Sequence, residues 1–297
     1  MDSNRDSNHY FALWRRLCHV LTCPAVVYTD REMRTTKILA FLCIVVFAAS
    51  CASKAPKEKG ITDLGLAWVK HAEEFRAVAL TVYQSAEKDL EGFIADTSWS
   101  ALPEQTDAAH LPPAIIFDVD ETVLSNIDFQ LDFEPPFENW KLDEWNREHD
   151  ATPIPGFAAF VEKARAAGVE IFFVTNRPCE RDGLKRCPQR RTTIKDIAEV
   201  GVETDKDHVF LSYERGWTRE KSTRRSYIAR THRVIMLFGD DLGDFIPCVR
   251  KEPIRPCTES ASGESRTADL LRFSRYWGSG WYVLPNPTHG SWTRVLR

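Results

Sequence analysis

The chain has no block of lysines and arginines. Its net charge is −4, and without a basic stripe it has nothing to neutralise a nucleic acid backbone, which excludes a nucleic acid polymer as partner. No segment recurs at a period of roughly 20 to 50 residues, so solenoids and propellers are set aside. Neither downstream cysteine pair falls at metal-ligand spacing, and the histidines follow no such pattern. Cys179 and Cys187, and Cys248 and Cys257, stand too far apart within each pair, and His71, His110, His149, His208, His232 and His289 are scattered. A structural zinc site is excluded on that ground. The apolar run at residues 38–49 is shorter than the roughly 20 residues a membrane-spanning helix needs. What remains is 43% hydrophobic and 28% charged over 297 residues, which gives room for one large or two small globular domains.

That apolar run has a context. Met33, Arg34 and Lys37 precede it, and Ala48-Ala49-Ser50-Cys51 closes it. A positive start, a short apolar stretch and small residues at the end make a secretory signal. The closing tetrapeptide resembles a bacterial lipoprotein box, although Ala48 departs from the branched residue usual there. The resemblance implies that Cys51 is lipidated and becomes the mature N-terminus. Ala52 in place of aspartate implies delivery to the outer membrane, facing the periplasm or the cell surface; a periplasmic or secreted protein is the alternative. Residues 33–50 are then a signal peptide with Met33 as the start, and residues 1–32 carry no fold meaning. Residues 51–60 are a polar tether, and residues 61–297 are the folded domain. Export also makes disulfides of the downstream cysteines. Three pairings are open, and the short loops favour Cys179–Cys187 with Cys248–Cys257.

Residues 114–117, Ala-Ile-Ile-Phe, run directly into Asp118 and Asp120. A short unbroken apolar run is the pattern of a strand buried on both faces. Buried charge is costly unless paired or bound to metal, so two carboxylates here point to a cation; an ordinary acidic loop is the plain alternative. Before this strand, apolar residues from Leu64 to Tyr83 recur at helical spacing, which predicts one helix from Asp63 to about residue 95. Residues 98–112 are loop. Residues 125–155 form an acidic, aromatic, mostly helical cap or insert with Phe129, Phe133, Phe137, Trp140 and Trp145. Most of these rings are expected in the core. For Trp145, core packing and a place at a pocket mouth, stacked on a flat ligand, stay equally open.

Beyond the insert the pattern alternates. Helices are expected at 157–167, 191–200, 220–231 and 268–273, strands at 169–174, 208–212, 234–238 and 281–284, and a loop at 250–265. Such alternation predicts an α/β fold of three layers, a central parallel sheet flanked by helices. In that fold the chemistry gathers at the carboxyl ends of the strands. Asp118 and Asp120, Thr175 and Asn176, and Asp240 and Asp244 all stand there. Four converging carboxylates suit a hard cation with oxygen ligands, Mg²⁺ above all. Lys221, Thr175, Asn176 and the backbone after Asp118 supply what a phosphate needs beside that cation. Together they describe a phosphoryl-transfer site.

These residues carry a resemblance. D-V-D-E-T from Asp118, V-T-N-R from Val174, Lys221 and G-D-D-L-G-D-F from Gly239 resemble the four motifs of haloacid-dehalogenase (HAD) superfamily phosphatases. The lipid box, the spacing from Trp145 to Pro155-Gly156 and the late L-P-N-P-T-H-G-S-W narrow it to something similar to subfamily IIIB, the class C acid phosphatases or lipoprotein 5′-nucleotidases. The resemblance implies a HAD-like Rossmannoid fold. It also implies a secreted, lipid-anchored, Mg²⁺-dependent acid phosphatase that cleaves phosphate monoesters, 5′-nucleotides in particular. Asp118 would be the nucleophile and form an aspartyl-phosphate, and Asp120 the general acid and base. Mg²⁺ would be held by Asp118, the backbone carbonyl of Asp120, and Asp240, with Asp244 acting through water or by holding Lys221. Thr175, Asn176 and Lys221 would bind the phosphoryl group, and Trp145 and His289 the rest of the substrate. His289 stands where the family commonly has a tyrosine against the substrate ring. A broad phosphomonoesterase or phosphotransferase, and a surface lipoprotein that binds without catalysis, are the rival functions. A homodimer stays open. The cysteine-flanked stretches 179–187 and 248–257 either staple loops or reshape the pocket.

Overall fold

The computed structural model describes residues 61–133, 136–182 and 184–295; the signal, Cys51 and the tether lie outside them. Two helices open the described chain, α1 (Ile61–His71) and α2 (Glu73–Ala95). The continuous periodicity predicted a single helix, and the structure breaks it at Ala72, whose φ of −85° and ψ of 129° are extended. Neither proline nor glycine causes the break. Tertiary contacts override local propensity: Trp68 and Phe75 pack edge to face across the bend at 5.6 Å, and Lys70 pairs with Asp128 in the insert. Along α2, Phe75, Ala79, Tyr83, Ala86 and Leu90 are buried, a stripe at spacings of three and four that faces the core.

Strand β1 (Pro113–Phe117) follows, then the insert. The insert runs from β2 (Leu124–Ser125) through helices α3 (Ile127–Asp132) and α4 (Asn139–Glu148) to β3 (Thr152–Pro153). β2 and β3 pair antiparallel, so the insert leaves and rejoins the domain at one place. Phe129 is buried as expected, but Phe137 and Trp140 are more than half exposed. Helix α5 (Phe157–Ala166), strand β4 (Glu170–Pro178), a small hairpin of β5 (Arg181–Asp182) and β6 (Lys185–Arg186), helix α6 (Gln189–Glu199) and strand β7 (Val209–Ser212) come next. Helix α7 (Ser222–Ile228), strand β8 (Arg233–Gly239), helix α8 (Gly263–Arg272), strand β9 (Trp281–Val283) and helix α9 (Trp292–Val295) complete the chain.

β4 runs four residues past its expected end, the β5–β6 hairpin and α9 are additions to the expected elements, and the bounds of α7 and α8 differ for local reasons. α7 is shorter than 220–231, because the Arg230 and Thr231 amides bond back only three residues, to Tyr227 and Ile228, the tighter 3₁₀ pattern that ends a helix. α8 starts inside the stretch expected to be loop. Ser262 caps it by accepting from the Ser265 amide while the Ser265 hydroxyl faces the Ser262 amide. A capping box with serine in place of Glu or Gln at its second position leaves a weak sequence signal.

The five long strands form one parallel sheet in the order β7-β4-β1-β8-β9, the α/β architecture expected. Along β1, Ile115 and Phe117 point into one core with Tyr83 of α2 and Phe157 and Phe160 of α5. Ala114 and Ile116 point into the other, with Ile228 of α7 and Trp281 of β9. Alternation across the pleat buries both faces. Truncating Phe117 to alanine would cost about 3–5 kcal/mol, lost burial and a cavity combined.

At the start of β4 the Glu170 carboxylate meets two imidazoles, His208 Nε2 at 2.8 Å and His232 Nε2 at 2.7 Å. His208 Nδ1 lies 2.8 Å from Asp205, so both of its ring nitrogens face carboxylates and the imidazolium alone satisfies both. Burial works against that charge, but Asp205 and Glu170 outweigh it and raise the His208 pKa. Burial likewise opposes the charge on Glu170, and His208 and His232 outweigh it and lower its pKa. The His208 contribution is present below its unfolded value and is lost as pH rises through the folded one. The Glu170 contribution is present above its unfolded value and is lost as pH falls through the folded one. Both are present between about pH 4.5 and 6.5. Glu170→Gln should lower the melting midpoint by about 2–4 °C at pH 5.5 and by less at pH 8.5, as followed by circular dichroism.

Candidate active site

In this sheet the strand order reverses between β1 and β8, the place where open α/β folds bind ligands. The Asp118 amide donates to the Phe238 carbonyl at 2.9 Å, so the ladder continues one residue past β1 and fixes the Asp118 backbone. Phe117 is in register with Phe238, and Asp240 follows Gly239 at the end of β8. That register sets Asp118 beside Asp240. A 3₁₀ turn at Leu242–Asp244 then folds Asp244 back toward them. Asp241 caps the turn through the Gly243 amide at 2.9 Å, and Asp244 Oδ2 accepts from the Asp241 amide at 3.0 Å. Gly239 is needed for this approach, because a Cβ on it would lie 2.3 Å from Asp244 Cβ and Oδ2. Carboxylate oxygens of Asp118, Asp240 and Asp244 all lie within 4.8 Å of one another.

Lys221, the residue before α7, is buried and pairs with Asp118 and, at 2.5 Å, with Asp244. One ammonium against three carboxylates leaves negative charge unbalanced. Burial pushes the Asp118 carboxyl well above the ordinary range, Lys221 pulls it back, and Asp244 and Asp120 push it further. Asp240 is raised by burial and then by Asp244 and Asp118. For Lys221, burial is outweighed by Asp118 and Asp244, which raise its pKa. A buried cluster of oxygen donors with excess negative charge fits a hard divalent cation.

Asp120 sits differently from the expectation of a free carboxyl. Arg177 Nε lies 3.1 Å from both of its oxygens, Arg177 Nη2 2.8 Å from Oδ1, and Asn126 Nδ2 2.9 Å from Oδ1. Burial works against its charge, but Arg177 and Asn126 hold its pKa below the ordinary carboxylate range. Arg177 is anchored in turn by the buried Asp196 of α6. Its role was hidden although it closes the V-T-N-R stretch.

A cavity of about 530 Å³ opens on Asp118, Asp120, Asp240 and Asp244. Leu66, Phe129, Phe133 and Phe137 give it an apolar wall. Asn176 and Lys221 line it, and so does His289, whose Nε2 is 3.1 Å from Glu121 Oε2. Burial opposes charge on His289, and Glu121 outweighs it and raises the pKa. Thr175 is fully buried beneath the cavity, its hydroxyl 3.4 Å from Asp120 and accepting from the Arg177 amide at 3.1 Å. Trp145 is not in the cavity wall. Its ring lies flat on His149, centroids 3.6 Å apart, an i,i+4 pair along α4.

A family model described as HAD superfamily, subfamily IIIB (acid phosphatase), matches residues 53–292. The chain belongs to this family of acid phosphatases. Among solved structures it is similar to the class C acid phosphatase from Bacillus anthracis, at 26% identity over 80% of this chain and 89% of that one, with a TM-score of 0.62. A second structure of that enzyme, with tungstate bound, matches at 25% identity over 79% and 87%, with a TM-score of 0.63. The class C resemblance of the motifs is thereby supported, and the enzyme is a phosphomonoesterase.

What holds the phosphatase site in place lies partly outside those motifs. Arg224 and Arg225 of α7 are both buried, and neither has a carboxylate partner among the described residues. Arg224 donates to the Thr175 carbonyl, and to Asn176 Oδ1 at 2.8 Å. With that oxygen taken, the Asn176 amide hydrogens are left to donate into the cavity. Arg225 donates to the carbonyls of Gly243, Asp244 and Phe245 at 3.0, 2.8 and 3.1 Å. One helix thus presents Lys221 and ties down the loops on either side of it. Behind Asp118, the buried Tyr83 donates its hydroxyl to the Thr122 carbonyl at 2.8 Å. Among the described residues Cys179–Cys187 and Cys248–Cys257 are disulfides, Cα atoms 4.5 and 5.4 Å apart, the pairing preferred from sequence.

Arg225→Met removes three bonds to the loop that carries Asp244, and Gly239→Ala displaces Asp244 directly. Each should raise the divalent-cation concentration needed for half-maximal phosphatase activity by about 10–100-fold, measured by metal titration of the chelator-treated enzyme.

Proposed function

We propose that this acid phosphatase is Mg²⁺-dependent, prefers 5′-nucleotides, and is exported and held at the outer membrane by a lipid on Cys51. The observation that carries the reading is the meeting of the Asp118, Asp240, Asp244 and Lys221 cluster with an aromatic-walled cavity. A phosphate at the cluster leaves its organic part against Phe129, Phe133 and Phe137, a surface suited to a flat ring. Export and anchoring rest on the signal and the lipoprotein box, which lie outside the described residues.

In the first half-reaction an Asp118 oxygen attacks phosphorus in line, and the P–O bond to the leaving group breaks as the Asp118 O–P bond forms. Asp120 hands the departing alkoxide its proton; Arg177 and Asn126 favour its ionised form, and the negative charge of the phosphate arriving beside it is what raises its proton affinity for that step. In the second half-reaction water attacks the phosphoryl group on Asp118, and the ionised Asp120 takes its proton. Arg177 and Asn126 keep that carboxylate aimed, and Thr175 supports both Asp120 and the Arg177 backbone. Lys221 and the Asn176 amide stabilise negative charge on the phosphoryl oxygens. Asp118, Asp240, Asp244 and the Asp120 carbonyl are the groups that would hold Mg²⁺, which, when bound, withdraws charge from the phosphoryl oxygens.

Activity on a substrate panel, with and without Mg²⁺, tests the reading. Nucleoside 5′-monophosphates should be cleaved faster than glycerol phosphate, and chelation should abolish both rates. Equal rates on the two would leave a broad phosphomonoesterase. Asp118→Asn should lose roughly 10³-fold or more in kcat, and a phosphorylated-enzyme signal seen after acid quench should vanish with it. Cys51→Ala should move the protein from the membrane fraction to the soluble exported fraction; membrane retention would defeat the anchor.

A further inference from the structure

We infer that the cavity contains a second anion subsite, built by Arg219, Arg250 and Arg294, and that the enzyme favours substrates carrying a second phosphate besides the one it cleaves. All three arginines line the cavity that opens on Asp118. Arg219 lies two residues before Lys221. Arg250 Nη2 stands 3.9 Å from the place a Cβ on Gly243 would occupy, next to Asp244. They come from elements other than the aromatic wall, so one substrate can meet both surfaces.

These cations outnumber the anions beside them. Among the described residues neither Arg219 nor Arg250 pairs with a carboxylate, and the Arg219 side chain makes no hydrogen bond, with its Nε buried and without a partner. Arg294 is paired with Glu252 at 3.3 Å in an exposed contact. Asp241 is the other acid nearby; its oxygens accept from the Gly243 amide and from the Ser291 amide and hydroxyl, and its one negative charge is shared between Arg250 and Arg266. The three guanidiniums share the wall of one cavity of about 530 Å³, and burial together with the charges of Arg250 and Arg294 lowers the Arg219 pKa. Arg250 does the same to the buried Arg266 beneath it. Two unpaired guanidinium forks match a phosphate dianion in charge and in bidentate geometry.

The grouping is built into the chain. The Cys248–Cys257 disulfide closes the loop that carries Arg250. That loop is tied to the segment carrying Arg219 by Thr218 Oγ1 to the Arg255 carbonyl at 2.7 Å, Arg255 to the Gly216 carbonyl at 3.2 Å, and the Cys248 amide to Glu220 at 3.4 Å. Repulsion among the arginines is therefore resisted by covalent and hydrogen-bonded restraints. A second anion would relieve it.

This rests on the nucleotide preference proposed above only in its first probe. The test compares kcat/KM for adenosine 3′,5′-bisphosphate with that for adenosine 5′-monophosphate, and fructose 1,6-bisphosphate with fructose 6-phosphate, in the disulfide-intact enzyme with Mg²⁺. The bisphosphate should lead by about 10-fold or more in at least one pair, and Arg219→Gln and Arg250→Gln should each cut that ratio to about twofold or less. A lead in the sugar pair alone supports the subsite and counts against the nucleotide preference. No lead in either pair overturns the proposal, as does a lead that survives both substitutions. A third pair, 3-phosphoglycerate against glycerol 3-phosphate, offers a carboxylate in place of the second phosphate. A lead there without one in the bisphosphate pairs overturns the choice of phosphate.

Discussion

Everything at this site follows from an electrostatic imbalance at the edge of β1 and β8. Three carboxylates and one ammonium are packed together at the floor of the cavity, and burial alone pushes Asp118 and Asp240 toward their neutral forms. A protein that wanted only stability would not place them there. The arrangement makes sense when a cation and a phosphoryl group share the space, since the cation balances the carboxylates and Lys221 meets the phosphate. Removing Lys221 would leave a cluster with no internal counter-charge, and removing Asp118 or Asp244 would leave Lys221 with one carboxylate partner in place of two.

Such a cluster has to be restrained by parts that do not take part in it. The parallel ladder fixes Asp118 and Asp240, and the capped 3₁₀ turn returns Asp244. Two buried guanidiniums on α7 secure the flanking loops through carbonyl oxygens. Carbonyls rather than carboxylates are the partners of Arg224 and Arg225, so these arginines add positive potential behind the site while holding it. Burial lowers the pKa of both, and for Arg224 the neighbouring Arg225 charge lowers it further. Their cost in desolvation is offset by multiple hydrogen bonds each, the condition under which buried charge is tolerated.

The strands and the acidic cluster were legible in the sequence because each depends on local pattern. An apolar run that ends in Asp118 or in Gly239-Asp240 states both that a strand is buried and where its chemistry emerges. The break at Ala72 was not legible, since it arises from Trp68 meeting Phe75 and from Lys70 reaching the insert, contacts distant from any helix-breaking residue. The grip of Arg177 on Asp120 and the two roles of Arg224 and Arg225 were hidden for a related reason: a guanidinium declares its charge in sequence, while its acceptor is decided by tertiary placement. Trp145 is the converse. Its position four residues before His149 on one helix carried the signal that the ring is engaged locally, and the aromatic richness of the segment drew attention away from it.

The two-residue ladder of β2 with β3 has a bearing on how this enzyme could change over generations. It brings the ends of the insert together on a frame that already exists, and the aromatic wall hangs from that frame while the acidic cluster sits on the sheet beneath. A lineage can therefore lengthen, shorten or exchange the segment between Asn126 and Pro153 without reopening the register of β1 against β8 or the hold of Asn126 on Asp120. Selectivity and reactivity are inherited as separable parts, and a new preference can arise by drift in the one while selection holds the other still.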